Sequence, residues 1–279
     1  MIDAYKQAMN LHEPPKPRSV KGFFTDTSLC IGCKACEVAC KQWNQLPADG
    51  FALSGTSYDN TGKLGATTWR HVQFVEQAKA NGGREDQRWL MSSDVCKHCA
   101  NAACLEVCPT GSLVRTEFGS VYVQQDICNG CGFCVPACPF GVIDRASPQG
   151  HFEPGTAHKC TLCYDRLKDD MTPACAKSCP TASIQFGDLD ELQGRARHRL
   201  RELRDRGESK AQLYGMPEGE EAKEVGPLHA FFLLLDEPET YNLPRVPRLP
   251  RKTMAERYGW SAAVGLGFAL VGALIFGRR

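Results

Sequence analysis

Cysteine is the residue type in this sequence whose spacing most clearly indicates chemistry. The chain has 16 cysteines among 279 residues, and every one belongs to one of four quartets. In chain order the quartets are Cys30, Cys33, Cys36, Cys40; Cys96, Cys99, Cys104, Cys108; Cys128, Cys131, Cys134, Cys138; and Cys160, Cys163, Cys175, Cys179. Quartets one and three have the spacing Cys-x2-Cys-x2-Cys-x3-Cys, which is typical of ligands to iron–sulfur clusters. Sixteen thiolates with none left over predict four [4Fe–4S] clusters as cofactors, and therefore one-electron transfer.

Two other uses of cysteine compete with this prediction. Disulfide frameworks are typical of short secreted domains, whereas this chain is long enough to bury a core. Structural zinc is typically held by two close cysteine pairs separated by a longer loop, a pattern that quartet four has when it is taken alone. A third cysteine two residues further on has no role in such a pair, so quartets one and three favour iron–sulfur clusters. A zinc-binding structural protein is the alternative from another functional class.

The spacing also predicts which quartets share clusters. In two-cluster ferredoxins the fourth cysteine of each run ligates the other cluster of the pair. Quartets two and three are separated by only the nineteen residues 109–127, about the length of one ferredoxin half, so they should be partners. Quartet one is then left to pair with quartet four. The predicted sites are site A (Cys30, Cys33, Cys36 and Cys179), site B (Cys160, Cys163, Cys175 and Cys40), site C (Cys96, Cys99, Cys104 and Cys138) and site D (Cys128, Cys131, Cys134 and Cys108).

The predicted fold class is α+β, with two nested ferredoxin-like two-cluster modules and a C-terminal single transmembrane helix. An internal repeat supports the modules, because a cysteine followed by proline and, a few residues later, by Leu or Ile recurs at Cys108, Cys138 and Cys179. The predicted division is an N-terminal extension (1–22), a first module (23–92 and 140–187, with an insertion over 50–90), an inserted second module (93–139), a helix, strand and linker (188–257) and the transmembrane helix (258–279).

The transmembrane prediction depends on the nineteen uncharged residues 259–277, which as a helix would extend about 28 Å. Tyr258 and Trp260 at one end and two arginines at the other resemble interfacial anchors. Small residues recur at every fourth position and predict close packing against another membrane helix: Ser261, Gly265, Ala269, Ala273 and Gly277. At the other end of the chain, residues 1–21 have no apolar run and no Arg-Arg pair, so no export signal is expected there.

Between the quartets and the C terminus, and in the loops around them, the sequence predicts further elements. Residues 188–214 have leucines at helical spacing and an arginine-rich face, which is interpreted either as a solvated surface or as a docking face for an acidic partner. Strands are predicted over 69–75, 120–125 and 228–235. Residues 244–250 are proline-rich and predict an extended linker.

The composition excludes some functions. The formal net charge is +1, and four oxidised clusters would bring it to roughly −7, so no nucleic-acid partner is expected. No acid–base pair, nucleophile or pterin site is recognisable, which predicts a non-catalytic chain. Trp43 is interpreted as an aromatic shield and core residue. His98, between two ligands, either tunes a cluster potential or is a surface residue.

Three sequence segments indicate a family resemblance: CIGCKACEVACKQWN over 30–44, CKHC over 96–99 and CTLCYDR over 160–166. They resemble the iron–sulfur subunits of molybdenum oxidoreductases. With Trp43-Asn44, the segment 228–235 and the C-terminal apolar stretch, the chain resembles specifically the beta subunit of membrane-bound molybdenum or tungsten formate dehydrogenase, over residues 23–277. Nested pairing is also the pattern of that family. Its nitrate reductase relatives replace one cysteine of quartet three with tryptophan, whereas Cys131 is present here.

The resemblance implies an electron relay without formate turnover of its own. Electrons would pass from a molybdopterin-containing alpha subunit through four [4Fe–4S] clusters to a membrane cytochrome b, the gamma subunit, and quinone. The small-residue face of 259–277 would contact the cytochrome. The alternative is the same relay for a hydrogenase or for a sulfur-compound or dimethyl sulfoxide reductase. The expected location is the bacterial inner membrane with the cluster domain in the periplasm, although the arginines before residue 258 favour a cytoplasmic domain.

Overall fold

The structure is a computed structural model that describes residues 19–55, 57–77, 88–148, 152–251, 258–259 and 261–269. These residues form a mixed α and β structure in which short helices and hairpins surround a four-stranded sheet.

The central sheet has the strand order β8-β1-β10-β9. Its strands are β1 (Lys21–Asp26), β8 (Ile184–Asp188), β9 (Gln212–Tyr214) and β10 (Ala230–Leu234). β1 runs antiparallel to β8 and parallel to β10, with Phe24 opposite Phe231 in the register. All five residues of β10 are buried, as is typical of a continuous apolar strand that is covered on both faces. Because β1 precedes quartet one and β8 follows quartet four, their pairing brings those two quartets to the same end of the sheet.

Three two-stranded hairpins carry the rest of the β structure. They are β2 (Arg70–Gln77) with β3 (Arg88–Val95), β4 (Leu113–Arg115) with β5 (Val121–Val123), and β6 (Asp144–Arg145) with β7 (Ala157–His158). The predicted strands over 69–75, 120–125 and 228–235 are confirmed as β2, β5 and β10, with boundaries that differ by one to two residues. The predicted insertion over 50–90 therefore ends in the hairpin of β2 and β3, of which residues 78–87 lie outside the described residues.

Most helices in the described part of the protein are single turns beside a cysteine. They are α1 (Ala35–Trp43), α2 (Ala103–Glu106), α3 (Cys134–Ala137), α4 (Tyr164–Lys168), α5 (Ala174–Lys177), α6 (Leu189–Asp205) and α7 (Ala222–Val225). α6 is the helix predicted over 188–214, and it ends nine residues earlier, next to Gly207 in a left-handed conformation. It buries Leu189, Leu192, Ala196 and Leu203 against β1 and β8, as its apolar periodicity predicts.

The predicted transmembrane helix over 258–279 is wrong for the part of the chain that the structure describes. There, no helix combines the length and the apolar character that crossing a bilayer requires. Within this range, residues 258–259 and 261–269 are helical. Residues 260 and 270–279 of the predicted span, including Ala273 and Gly277 of its small-residue face, lie outside the described residues.

Candidate metal centres

Site A is built where the loop before α1 meets the segment that follows α5. Cys30, Cys33, Cys36 and Cys179 line one cavity, together with Ser93 and Ser183. Gly32 has a φ of +68°, which lets the loop turn between the first two thiols without a side chain in the way. Burial raises the pKa of the Cys36 thiol to about 11, an effect that the charge of Arg70 partly offsets.

Site C lies under the hairpin of β4 and β5. Cys96, Cys99, Cys104 and Cys138 line one cavity. Its other walls are apolar or aliphatic, except for three buried side chains: Lys97, His98 and Lys159. Both lysines are held by oxygen acceptors, since Lys97 donates to Asp94 and to the carbonyl of Val95, and Lys159 donates to the carbonyls of Val121 and Cys160.

Site B is the most deeply buried of the four. Cys40, Cys160, Cys163 and Cys175 are all buried. Burial holds the pKa of Cys40 well above its usual value, and the neighbouring charges of Cys160, Cys175 and Cys163 raise it further. Leu162 and Cys163 both adopt left-handed backbone conformations, so the loop turns sharply before α4 begins.

Site D brings together Cys108, Cys128, Cys131 and Cys134. Burial raises the pKa of Cys134 to about 11; its own backbone hydrogen bond opposes this, and the charges of Cys128, Cys131 and Cys108 add to it. Cys108 behaves differently. Desolvation raises its pKa, but hydrogen bonds led by the one from Ser112 outweigh that effect and lower it to about 6. The structure thus brings the cysteines of each of the four sets into one neighbourhood.

The sites also lie next to one another in a fixed order. Three pairs of cysteines from different sites are close enough for their charges to interact: Cys36 with Cys175, Cys160 with Cys96, and Cys104 with Cys134. These pairs join A to B, B to C, and C to D. The terminal sites reach the surface, because Cys33 of site A and Cys131 of site D are exposed, whereas the remaining cysteines are buried or half-buried. The arrangement is a row of four sites that is open at both ends.

The chemistry of this donor set fits iron–sulfur clusters. In sites A and C, four cysteines from two quartets line one cavity, as the ligands of a cluster must. None of the sixteen cysteines forms a disulfide bond. A bound [4Fe–4S] cluster supplies reversible one-electron chemistry, with a potential set by net charge, hydrogen bonds to sulfur and solvent exposure.

The structure locates two residues, His98 and Trp43, whose roles the sequence did not decide. His98 is buried, so the surface interpretation is wrong. Its Nδ1 accepts a hydrogen bond from the backbone N–H of Val121, while Nε2 has no partner among the described residues. Burial lowers the pKa of His98 well below its usual value, and the charge of Lys159 adds to this effect.

Trp43 is 40% exposed, so it is not a core residue. Its Nε1 donates to Asp165 at 2.7 Å, and the guanidinium of Arg166 lies 4.1 Å from the centre of its ring. Both partners come soon after Cys163 in the sequence, so Trp43 lies beside site B. Its role as a shield stays a prediction.

No sequence pattern selects Arg70, although it is among the largest fully buried side chains of the described residues. It donates from Nη2 to the Sγ of Cys175 at 3.3 Å, so it belongs to the surroundings of site B. The one sequence feature that could have selected Arg70 is a charged residue at the start of a predicted strand. The sequence alone does not distinguish such a buried charge from an ordinary surface charge.

Comparison with known proteins defines the class. Two family models described as 4Fe-4S dicluster domains match residues 29–112 and 87–189, so this is an electron-transfer protein of the dicluster iron–sulfur class. The chain is 39% identical to the formate dehydrogenase iron-sulfur subunit of Haemophilus influenzae, over 80% of this chain and 68% of that protein. It is 37% identical to the nitrate-inducible formate dehydrogenase iron-sulfur subunit of Escherichia coli, over 90% and 82%. This protein belongs to the family of formate dehydrogenase iron–sulfur subunits.

This membership confirms the predicted cofactors and the predicted role. The chain carries four [4Fe–4S] clusters, and it is an electron-transfer subunit of a complex that has a separate catalytic subunit. A subunit of the anaerobic dimethyl sulfoxide reductase of Escherichia coli is also similar, at 35% identity over 62% of this chain and 75% of that protein.

Proposed function

We propose that this chain transfers electrons from a molybdopterin-containing formate dehydrogenase subunit to a membrane cytochrome b, and through it to quinone. One observation carries the proposal: the four cysteine sites form a row whose two terminal sites reach the surface. A row that is open at both ends suits a donor at one end and an acceptor at the other, while the buried middle sites are kept from water.

The surface around the two ends supports docking there. Ile31 and Val38 flank site A and are 59% and 66% exposed, and Ile127 and Phe133 flank site D at 43% and 59%. Exposed apolar side chains grouped around a reactive centre are typical of surfaces that partners cover. Each end therefore offers an apolar contact surface beside an exposed cysteine.

The proposal includes the ligand assignment. Sites A, B, C and D each hold one cluster, with three thiolates from one quartet and the fourth from its partner quartet. The pairing of β1 with β8 supports this nesting, and so do the two cavities, each of which is lined by cysteines of two quartets.

The partner assignment is supported by the names and coverage of the relatives. The formate dehydrogenase subunits match up to 90% of this chain, whereas the dimethyl sulfoxide reductase subunit matches 62%. A relay for a dimethyl sulfoxide reductase is the second candidate function, because that relative shares a large part of the chain. We also propose a periplasmic location for the cluster domain, which an accessibility assay in intact cells would test.

The deciding experiment is anaerobic purification of the tagged chain from its native host, followed by identification of the large subunit that accompanies it. The proposal predicts a molybdopterin subunit that oxidises formate with an artificial dye acceptor, together with a haem-containing subunit. A large subunit that reduces dimethyl sulfoxide and does not oxidise formate would favour the second candidate function.

A further inference from the structure

Arg70 links two of the four sites through its hydrogen bonds. It is the first residue of β2 and is 1% exposed. Its Nη2 donates to the Sγ of Cys175 in site B at 3.3 Å. Its Nη1 lies 3.4 Å from the Oγ of Ser93, and that hydroxyl is 3.2 Å from the Sγ of Cys36 in site A. One guanidinium therefore contacts site B directly and site A through a single serine.

No carboxylate pairs with this charge in the described part of the chain. The contacts of Arg70 there are the thiol, the serine hydroxyl and carbonyl, and the ring of Phe23 at 4.8 Å, and its Nε has no partner. A buried guanidinium without a counter-charge is costly, so the negative charge must come from elsewhere. The nearest candidates are cysteine sulfurs of sites A and B, since Cys175, Cys36, Cys160 and Cys40 all stabilise the charged form of Arg70.

We propose that Arg70 is a positioning residue that tunes sites A and B together: its fixed positive charge stabilises the additional electron at both sites and raises both midpoint potentials. The inference rests on the proposed ligand assignment. Each site becomes one unit more negative when it accepts an electron, so a nearby cation stabilises the reduced form more than the oxidised form. Net charge and hydrogen bonds to sulfur are known determinants of cluster potential.

Arginine suits this role better than the lysines of site C. Its guanidinium stays charged under all conditions in which the protein folds, and its planar set of donors can serve two acceptors at once. The two lysines at site C are instead bound to oxygen acceptors. Arg70 is thus the charge that the first two sites of the row share.

The experiment is a reductive titration of the anaerobically purified holoprotein, in which electron paramagnetic resonance measures the reduction of each cluster. The signals of sites A and B are assigned from their loss in the separate variants C30S and C160S. The informative variant is Arg70→Gln, which keeps donor groups but removes the charge. We expect sites A and B each to become at least tenfold harder to reduce, which is about 59 mV for a one-electron couple. Sites C and D should keep their potentials. The control Arg195→Met removes an exposed charge that pairs with Glu191 and should shift none of the four.

Unchanged potentials at sites A and B in a fully loaded R70Q protein would overturn the proposal, and so would a shift confined to one of them. If R70Q does not retain its iron, Arg70→Lys becomes the test. Lysine keeps the charge, so the midpoint potentials of sites A and B should each stay within about 59 mV of their values in the unsubstituted protein. A larger fall in either potential would overturn the proposal. The titration needs no partner subunit, so its result is independent of which catalytic subunit supplies the electrons. A wrong ligand assignment would show separately, as Cys30→Ser and Cys40→Ser removing the same signal.

Discussion

The guanidinium of Arg199 lies 3.0 Å from the carboxylate of Asp26 and joins the middle of α6 to the end of β1. The Asp26 side chain is 1% exposed, and it also accepts hydrogen bonds from the backbone N–H and the hydroxyl of Ser28. These contacts hold the turn that leads into Cys30. At least one residue of the arginine-rich face of α6 is therefore neither simply solvated nor free to bind a partner.

Removing the Arg199 side chain is predicted to destabilise the protein. Arg199→Met would leave the buried Asp26 carboxylate without its cation, and such unpaired charges cost about 2–4 kcal/mol. The matched control is Arg195→Met on the same helix, whose pair with Glu191 is exposed and should contribute under about 0.5 kcal/mol. Thermal unfolding of the two anaerobic holoproteins measures the difference. Equal midpoints would show that the contact between α6 and β1 is dispensable.

The nested ligand assignment predicts which cysteine substitutions act on the same cluster. Cys30→Ser and Cys179→Ser should remove the same electron paramagnetic resonance signal, because both thiols line the cavity of site A. Cys40→Ser should remove a different one, although Cys40 belongs to the same quartet as Cys30. If C30S and C40S removed one common signal and C179S another, the quartets would each hold their own cluster and the nesting would be wrong.

Two glycines with the same backbone conformation are predicted to respond differently to alanine. Gly32 and Gly62 have φ values of +68° and +76°, but a Cβ on Gly32 would lie 2.6 Å from atoms of Met91 and Phe74, whereas one on Gly62 would meet nothing within 4 Å. Gly62→Ala should cost about 1 kcal/mol from the backbone alone. Gly32→Ala should cost about 1–3 kcal/mol more through overpacking. Unfolding midpoints, read from the loss of cluster absorbance, test the difference. Equal losses would mean that the loop of site A is not packed as described.

His229 predicts a loss of stability in acid. It is buried with its Nδ1 3.0 Å from the carbonyl oxygen of Gly119, to which it donates. Burial, with a smaller contribution from the charge of Arg115, lowers its pKa to about 4 from 6.5. Because the folded pKa is below the unfolded one, the unfolded state binds the proton more readily, and stability falls as the pH drops from about 6.5 towards 4.

The measurement for His229 is the thermal midpoint of the holoprotein at several pH values. His229→Asn keeps a donor near the position of Nδ1 but does not titrate in this range, so its midpoint should fall less between about pH 6.5 and about pH 4.5. The contribution of His229 is at most about 3 kcal/mol at about pH 4. Parallel curves for the two proteins would show that the pKa of this histidine is the same in the folded and unfolded states.

Local patterns in the sequence predicted three of the strands, β2, β5 and β10, and they predict a grouping of the cysteines that the cysteine substitutions above would test. β10 follows from a continuous apolar run, and the four predicted sets follow from spacing that is limited by how a short loop can wrap a cluster. The charged residues were not predictable in the same way. Arg70 meets Cys175, and Arg199 meets Asp26, across long separations in sequence, so their partners depend on the folded arrangement of strands. At residues 258–279, uncharged length led to a transmembrane prediction that is wrong for the part of this segment that the structure describes.

The most direct test of the central claim is the iron and acid-labile sulfide content of the anaerobically purified protein. Four cubane clusters predict about sixteen iron and about sixteen sulfide per chain, with four one-electron midpoint potentials in a redox titration. Stoichiometric zinc with no acid-labile sulfide, or iron for only one or two clusters in a fully folded sample, would contradict it.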